Sequence, residues 1–343
     1  MIDCTVLEDI YRETLDRCAP ERLIAKVWRE DFPRTVVAIG KCAGALRDGI
    51  DCDDAFVAIP FGYREPKKPA QVVFGTHPQY SEASFEAGRQ LLEFVDRHED
   101  ITFIVSGGGS ATVEVPLREK TVEENAQLIA SGMTIAEINA RRKAMSAIKG
   151  GKLARRVRGR CVTLVYSDVS RGKLADVASG PTIPGSDEVH LIADNDTLTA
   201  TAAAIARERG LRATGLPDQI ESDVKDAVSL LAKAKFDDIL IAGGEITVAV
   251  HGDGKGGRCS EAALRYLLAG GKHPALFGSS DGVDGNSDAA GIAIDPSAPF
   301  DRHAIETELG KSNSFPLAAK IGRAIMIPSA GNNLRDLYLL ARG

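Results

Sequence analysis

At 343 residues the chain exceeds the usual size of one compact core, so two domains are expected. With 44% apolar and 26% charged residues it can build a full core without staples, which sets disorder aside as the default. The net charge of −6 is spread along the chain and argues against nucleic acid or an anionic membrane as the main partner, so small anionic ligands would need local basic sites.

The opening stretch, MIDCTVLEDIYRETL, is acidic where a signal peptide carries a basic region, and no long uncharged apolar run follows, so neither export nor a membrane span is expected. Cys4, Cys18, Cys42, Cys52, Cys161 and Cys259 lack CxxC spacing. Reduced thiols in the cytoplasm, with no zinc site or disulfide framework, fit that scatter.

Apolar runs of strand length occur at Thr35–Ile39, Ala55–Ile59, Gln71–Phe74, Ile101–Val105 and Cys161–Tyr166, with helical patterns between several of them. This alternation predicts an α/β fold with a mainly parallel sheet. A crossover helix is expected in SEASFEAGRQLLEFV, capped by Ser81, and a second over Thr134–Lys149, begun by a Thr134/Glu137 capping box and ended by Gly150 and Gly151. Beyond a boundary placed between residues 190 and 191, helices are expected over Thr197–Arg209 and Val224–Ala234. Strands follow near Ile239–Ala242, Ile246–Val250, Ala275–Phe277 and Ile292–Ile294. The domains are thus 1–190 and 191–343.

In a parallel sheet, ligands bind beyond the carboxyl ends of the strands, where the loops diverge. Four segments follow strands directly: Gly40–Gly44, Gly75–Pro78, Ser106–Ser110 and Ser167–Val169. The glycines Gly107, Gly108 and Gly109 let backbone N–H groups approach a phosphate, with Ser106 and Ser110 adding hydroxyls; a tight turn without a ligand is the competing account. Lys41 could reach a transferring phosphoryl group or simply be a solvated turn lysine. Asp168 could hold Mg²⁺ or take a hydroxyl proton, or close an Asx-turn. On the helix from Thr134, Asn139, Arg142, Ser146 and Lys149 fall on one polar stripe, at a cleft rim or in solvent.

Later, Gly243-Gly244-Glu245 lies between two expected strands, and Gly256-Gly257-Arg258 opens a helix. Arg258 at a helix N-terminus could grip a carboxylate or phosphate in bidentate fashion, or bond Asp253 or Glu261. Asp281, Asp284 and Asp288 follow another strand, as ligands or as turn residues. His77 and His251 are isolated, and no strand is followed by GxGxxG, so the usual dinucleotide fingerprint is missing.

Taken in order, AIGKCAGAL, THPQYSEASFEAGRQLLEF, SGGGSA, EINARRKAMSAIKGGKLA, YSDVSRGKLADVASGPTIP, AGGEITVAVHGDGKGGRCSEAAL, SSDGVDGNSDAAG and SAGNNLRDL resemble the successive blocks of the glycerate 2-kinase family with its MOFRL C-terminal domain. Members of this family are also labelled hydroxypyruvate reductase. The resemblance implies a Rossmann-like first domain, a MOFRL-type α/β second domain and an active site in the cleft between them. It implies ATP with Mg²⁺ and transfer to the 2-hydroxyl of D-glycerate. Lys41, Asp168 and Arg258 would be catalytic, with phosphates held by Ser106–Ser110 and by Gly243, Gly244 and Glu245. Asn139, Arg142, Lys149, Asp281 and Asn333 would meet the small hydroxy acid, and Asp168 and Glu245 would hold the metal. A homodimer is left open. An NAD(P)-dependent reductase, a kinase of a related acid sugar or polyol, and a catalytically silent binding protein are the alternatives. The chain departs from the family at Ser170-Arg171-Gly172-Lys173, where an acidic pair is usual and Asp176 is the nearest acid. It departs again at Cys259, usually asparagine, and at Ser329–Asn333, usually threonine-rich. The chain is also shorter than typical members, and this trimmed length together with Cys259 raises the expectation of an acceptor other than free D-glycerate.

Overall fold

The computed structural model of the chain describes residues 2–118, 123–124, 127, 131, 133, 135–327 and 331–342. Thr134, Ser329 and Ala330, named above in a cap and a loop block, lie outside the described residues.

The chain divides into two compact units, Pro20–Asp194 and a split unit made of Met1–Ala19 with Asn195–Gly343. The continuous unit begins with α2 (Pro20–Val27), after α1 (Cys4–Arg17) of the split unit. It then runs β1 (Thr35–Ile39), α3 (Ala43–Asp48), β2 (Asp54–Pro60), β3 (Gln71–Gly75), α4 (Glu82–Arg97) and β4 (Ile101–Ser106). It continues through α5 (Gly109–Thr112), α6 (Ile135–Met145), β5 (Cys161–Tyr166) and β6 (Glu188–Ala193). All neighbouring strands pair in parallel, in the order β3-β2-β1-β4-β5-β6. This is the doubly wound order, with its switch point between β1 and β4. β4 and β5 are buried at every position, as strands covered on both faces must be, which is why they read as unbroken apolar runs. One core cluster joins Val37, Phe56, Phe94, Phe103 and Val165 across sheet and helix.

The split unit continues through α7 (Asn195–Glu208), β7 (Ala213–Gly215), α8 (Val224–Lys233), β8 (Ile239–Gly244), α9 (Arg258–Leu268), β9 (Ala275–Ser279) and β10 (Gly291–Ile294). Helices α10 (Arg302–Gly310) and α11 (Ser314–Ile321) and strands β11 (Arg323–Ile325) and β12 (Asp336–Ala341) complete it. Its sheet is mixed, in the order β11-β10-β9-β12-β8-β7, with only β7 and β8 parallel.

Several expectations differ from this outcome. The 190/191 boundary differs from the packing because α1 lies with α7 and β9, where the buried Tyr11 hydroxyl donates to Ser279 O at 2.6 Å. Residues 1–19 therefore go with the second half, and the change of unit falls at Asp194/Asn195. The strand expected over Ile246–Val250 is an irregular segment with a single bridge from Thr247 to Asp223. β6 was not expected, since at the sheet edge it exposes Val189 and Leu191 on one face. Nor was β12, although it sits mid-sheet between β8 and β9. Finally, α6 stops at Met145 rather than Lys149, because Ser146 bridges to Pro116 instead of continuing the helix.

Candidate active site

At the switch point the turns after β1 and β4 are stitched together. Lys41 N–H donates to Gly107 O at 2.8 Å and Cys42 N–H to Ser106 Oγ at 3.2 Å, while Ser106 Oγ donates to Ile39 O at 3.1 Å. Ser106 is fully buried, so its hydroxyl serves the turn and not a phosphate, a correction to its expected role. The Lys41 stem lies across Gly108, and its ammonium is 5.8 Å from the Tyr63 ring centroid. A Cβ on Gly107 would overlap the Asp168 carboxylate, so the glycine is what lets the β4 and β5 turns approach.

A pocket of about 250 Å³ opens here, lined by His77, Gly107, Gly108, Ser110, Asn139, Arg142, Asp168, Asp176 and Ser179. Parallel strands send their following loops to one edge, and α6 adds Asn139 and Arg142 from the side. Ser110 Oγ lies 2.9 Å from Ser179 Oγ. Asp176 Oδ1 is 3.4 Å from Lys143 Nζ. The surrounding protein, and after it the Lys41 ammonium, lowers the His77 pKa from 6.5 to about 4, so the ring is neutral near pH 7. The sequence assigns no role to His77 or Ser179 individually, although both lie inside family-like blocks, THPQYSEASFEAGRQLLEF and YSDVSRGKLADVASGPTIP.

Lys149 does not share the stripe of Asn139 and Arg142, because the helix ends before it. It forms a fully buried ion pair with Glu114, and its ammonium is 4.9 Å from the Tyr80 ring, whose hydroxyl is buried without a partner, as is Glu114 Oε1. Its expected contact with substrate is thus corrected to a core contact.

The remaining expected residues belong to the split unit. Arg258 opens α9, but both arms of its fork are taken by the fully buried Asp336, Nε to Oδ2 at 2.6 Å and Nη2 to Oδ1 at 2.8 Å. Its Nη1 meets Glu245 Oε1 at 3.0 Å. Burial opposes its charge, yet Asp336 and Glu245 hold its pKa above the ordinary value. Burial likewise pushes Asp336 up to about 6, against the pull of Arg258. Neither Asp253 nor Glu261 is its partner; Glu261 pairs with Arg265 at 2.7 Å. Glu245 also faces Arg335, 3.4 Å away, so its carboxylate lies between two guanidiniums.

The N-terminus of α9 already holds an anion. Asp284, buried, accepts from Cys259 N–H at 2.8 Å and Ser260 N–H at 2.9 Å, so the oxyanion site expected at Gly256–Arg258 is filled by the chain's own carboxylate. Gly243 and Gly244 are buried at the end of β8 and paired to β12, rather than forming an open phosphate loop. Asp281 accepts from Ser279 Oγ at 2.8 Å and Val283 N–H at 3.0 Å, and Asp288 pairs with Lys255 at 2.5 Å. Asn333 is half-buried in the loop before β12. Cys259 belongs to the apolar core of its unit, so its thiol faces no ligand. Among the described residues no group of three or more His, Cys, Asp or Glu side chains could hold a metal ion, and no helix is long and apolar enough to cross a membrane.

The family model described as a domain of unknown function, DUF4147, matches residues 6–221, and the MOFRL family model matches residues 238–336. A glycerate 2-kinase of Sulfurisphaera tokodaii is 31% identical, over 90% of each chain. The chain belongs to the glycerate 2-kinase family. Within that family it is also 28% identical to a D-glycerate 2-kinase of Thermotoga maritima, over 96% of each chain. The crystal structure of a glycerate kinase from Thermotoga maritima superposes with a TM-score of 0.87 at 27% identity, covering 99% of each chain. The triple-glycine and serine-aspartate-valine blocks line the pocket together with His77, Asn139, Arg142 and Ser179, and the lysine turn adjoins it at Gly108; Glu245, Arg258 and Asp336 form a separate network in the split unit.

Proposed function

We propose that the chain transfers the γ-phosphoryl group of ATP to the 2-hydroxyl of D-glycerate. The observation that carries this reading is the convergence of Gly107, Gly108, Ser110, Asn139, Arg142 and Asp168 on one pocket, with the Lys41 stem lying over Gly108. About 250 Å³ is below the range usual for larger ligands and suits a small acid with the transferring group.

Phosphoryl transfer asks a protein mainly for positioning and for charge placed where it develops. Lys41 supplies a mobile ammonium at the switch point. The Gly107–Ser110 turn brings backbone and hydroxyl donors close to phosphoryl oxygens. Arg142 takes the carboxylate of the acid, and Asn139 bonds a hydroxyl. Asp168 and Asp176 line the same pocket, and two carboxylates beside a phosphate site fit Mg²⁺, which keeps most of its shell as water and phosphate oxygen. When bound, Mg²⁺ neutralises and orients the phosphate oxygens. Arg258 is held within its own unit, its fork by Asp336 and its Nη1 by Glu245. The scattered free thiols keep the cytoplasm as the expected location. Against a reductase, the turn after β1 reads Gly40-Lys41-Cys42 and lacks the dinucleotide fingerprint.

ADP release should be measured with D-glycerate, other small hydroxy acids and polyols, with phosphorus NMR of the product. D-glycerate should lead, giving the 2-phosphate, because the Cys259 departure is buried. NADH oxidation with hydroxypyruvate and no ADP would overturn the reading. Binding without turnover for any acceptor would point to a silent homologue.

A further inference from the structure

Beside the pocket, Ala178, Ser179 and Gly180 take left-handed backbone conformations in succession, with φ of 51°, 61° and 59°. Glycine does this freely, but a Cβ crowds the following carbonyl, so Ala178 and Ser179 are both strained. Their neighbours impose the shape. Ser179 O accepts from Gly150 N–H at 3.2 Å, Gly180 O from Gly151 N–H at 2.7 Å, and Gly180 N–H donates to Val177 O at 2.8 Å. Gly150 and Gly151 are themselves left-handed, at 67° and 77°, and lie beyond the end of α6, where they pin the strained turn.

Strain over-determined in this way marks places where something is gained by it. Here the turn sets the Ser179 hydroxyl, on a residue only 3% exposed, into the pocket wall 2.9 Å from Ser110 Oγ. Two hydroxyls carry two protons, and the bond between them uses one. The other is left to donate to a ligand oxygen, beside the Arg142 guanidinium and the Gly107–Gly108 turn that line the same wall. We propose that Ser179 is a ligand-binding residue of this pocket, pairing with Ser110 to donate one hydrogen bond to a ligand oxyanion, and that the left-handed turn exists to place it. The kinase reading enters only in naming that oxyanion as the acid's carboxylate or the transferring phosphoryl group.

If Ser179 were merely structural, glycine would serve better there, relieving strain at no cost. Four proteins separate the accounts: the parent, Ser179→Gly, Ser179→Ala and Ala178→Gly. Both glycine variants should melt higher than the parent, because each removes a strained residue. Ala178→Gly, which keeps both hydroxyls, should change the kinetic constants less than either Ser179 variant. Both Ser179 variants should lose about ten-fold in the affinity they affect, as expected for one hydrogen bond to a charged group. A rise in KM confined to D-glycerate assigns the carboxylate; a fall in kcat with raised KM for ATP assigns the phosphoryl group. Thermal shifts with inorganic phosphate and with D-glycerate alone give a readout without turnover. A Ser179→Gly protein with parental constants and parental shifts overturns the proposal, whatever becomes of Ser179→Ala. A parent protein without ATP-dependent turnover sinks the kinase reading instead, and the two thermal shifts still decide Ser179.

Discussion

Lys41 illustrates how little a residue shows by itself and how much its place decides. A turn lysine supports little of the core, yet this one lies over Gly108 at the point where β1 and β4 part. If its ammonium meets charge growing on the phosphoryl oxygens, Lys41→Ala should lower kcat by roughly a hundred-fold, the scale of one well-placed donor in a water-poor site. Melting should barely move, and ATP affinity should fall less than kcat. Near-normal turnover in a stable variant would return Lys41 to the solvent.

His77 gives a second residue-scale test, with a definite sign. Its folded pKa, about 4, lies below the ordinary 6.5, so the unfolded chain binds the proton more tightly between these values. Stability linked to His77 is therefore present above pH 6.5 and is lost as pH falls towards 4. His77→Gln should melt with a smaller drop than the parent between pH 7 and pH 5. An NMR titration should place one histidine midpoint near 4; a midpoint near 6.5 for every histidine would refute the assignment.

At the scale of elements, the end of α6 decides what Lys149 can do. Had the helix run on to Lys149, that ammonium would share a face with Arg142; because it stops at Met145, the chain dives and Lys149 is buried against Glu114. Removing one partner leaves a buried charge alone, so Glu114→Gln should cost about 3–5 kcal/mol in chemical denaturation. Replacing both, as Glu114→Leu with Lys149→Met, should cost far less. That double variant also tests the substrate role the sequence suggested: if Lys149 bound glycerate, KM would rise steeply in a protein that remains folded, and an unchanged KM confines the pair to the core. The same scale explains α9, whose N-terminal N–H groups are satisfied by Asp284 from another loop, leaving Arg258 the side chain to be explained there.

For the whole molecule, the chain's first helix belongs to its second half. Leu7, Ile10, Tyr11 and Leu15 of α1 are buried, and α1 packs on β9. Deleting residues 2–19 from the full chain should therefore raise amide hydrogen exchange in β8, β9 and β12 while β1, β4 and β5 keep their protection. Equal loss in both sheets would contradict the division into units. The continuous unit should stay protected because its core cluster contains no residue of α1.

The local signals in this chain were strong where burial is two-sided and short-range. β1, β4 and β5 were legible as apolar runs, and their parallel order followed from the helices between them, so the gathering of Lys41, Gly107, Gly108, Ser110 and Asp168 at one edge was already implied by the sequence. Family membership was legible too, because the blocks occur in a fixed order. What only the tertiary structure decided are pairings across long stretches of chain. Asp336 occupies the fork of Arg258 across 78 residues, Glu245 sits between Arg258 and Arg335, and Ser106 is turned inward to hold the β1 turn. A hydrophobic period reports the environment of a side chain's own element, whereas a charged or polar group is satisfied by whichever partner folding brings within about 3 Å. One sequence carries no local mark of that partner, and the strained turn at Ser179 was invisible for the same reason: the N–H groups that hold it come from Gly150 and Gly151, on a separate stretch of the chain.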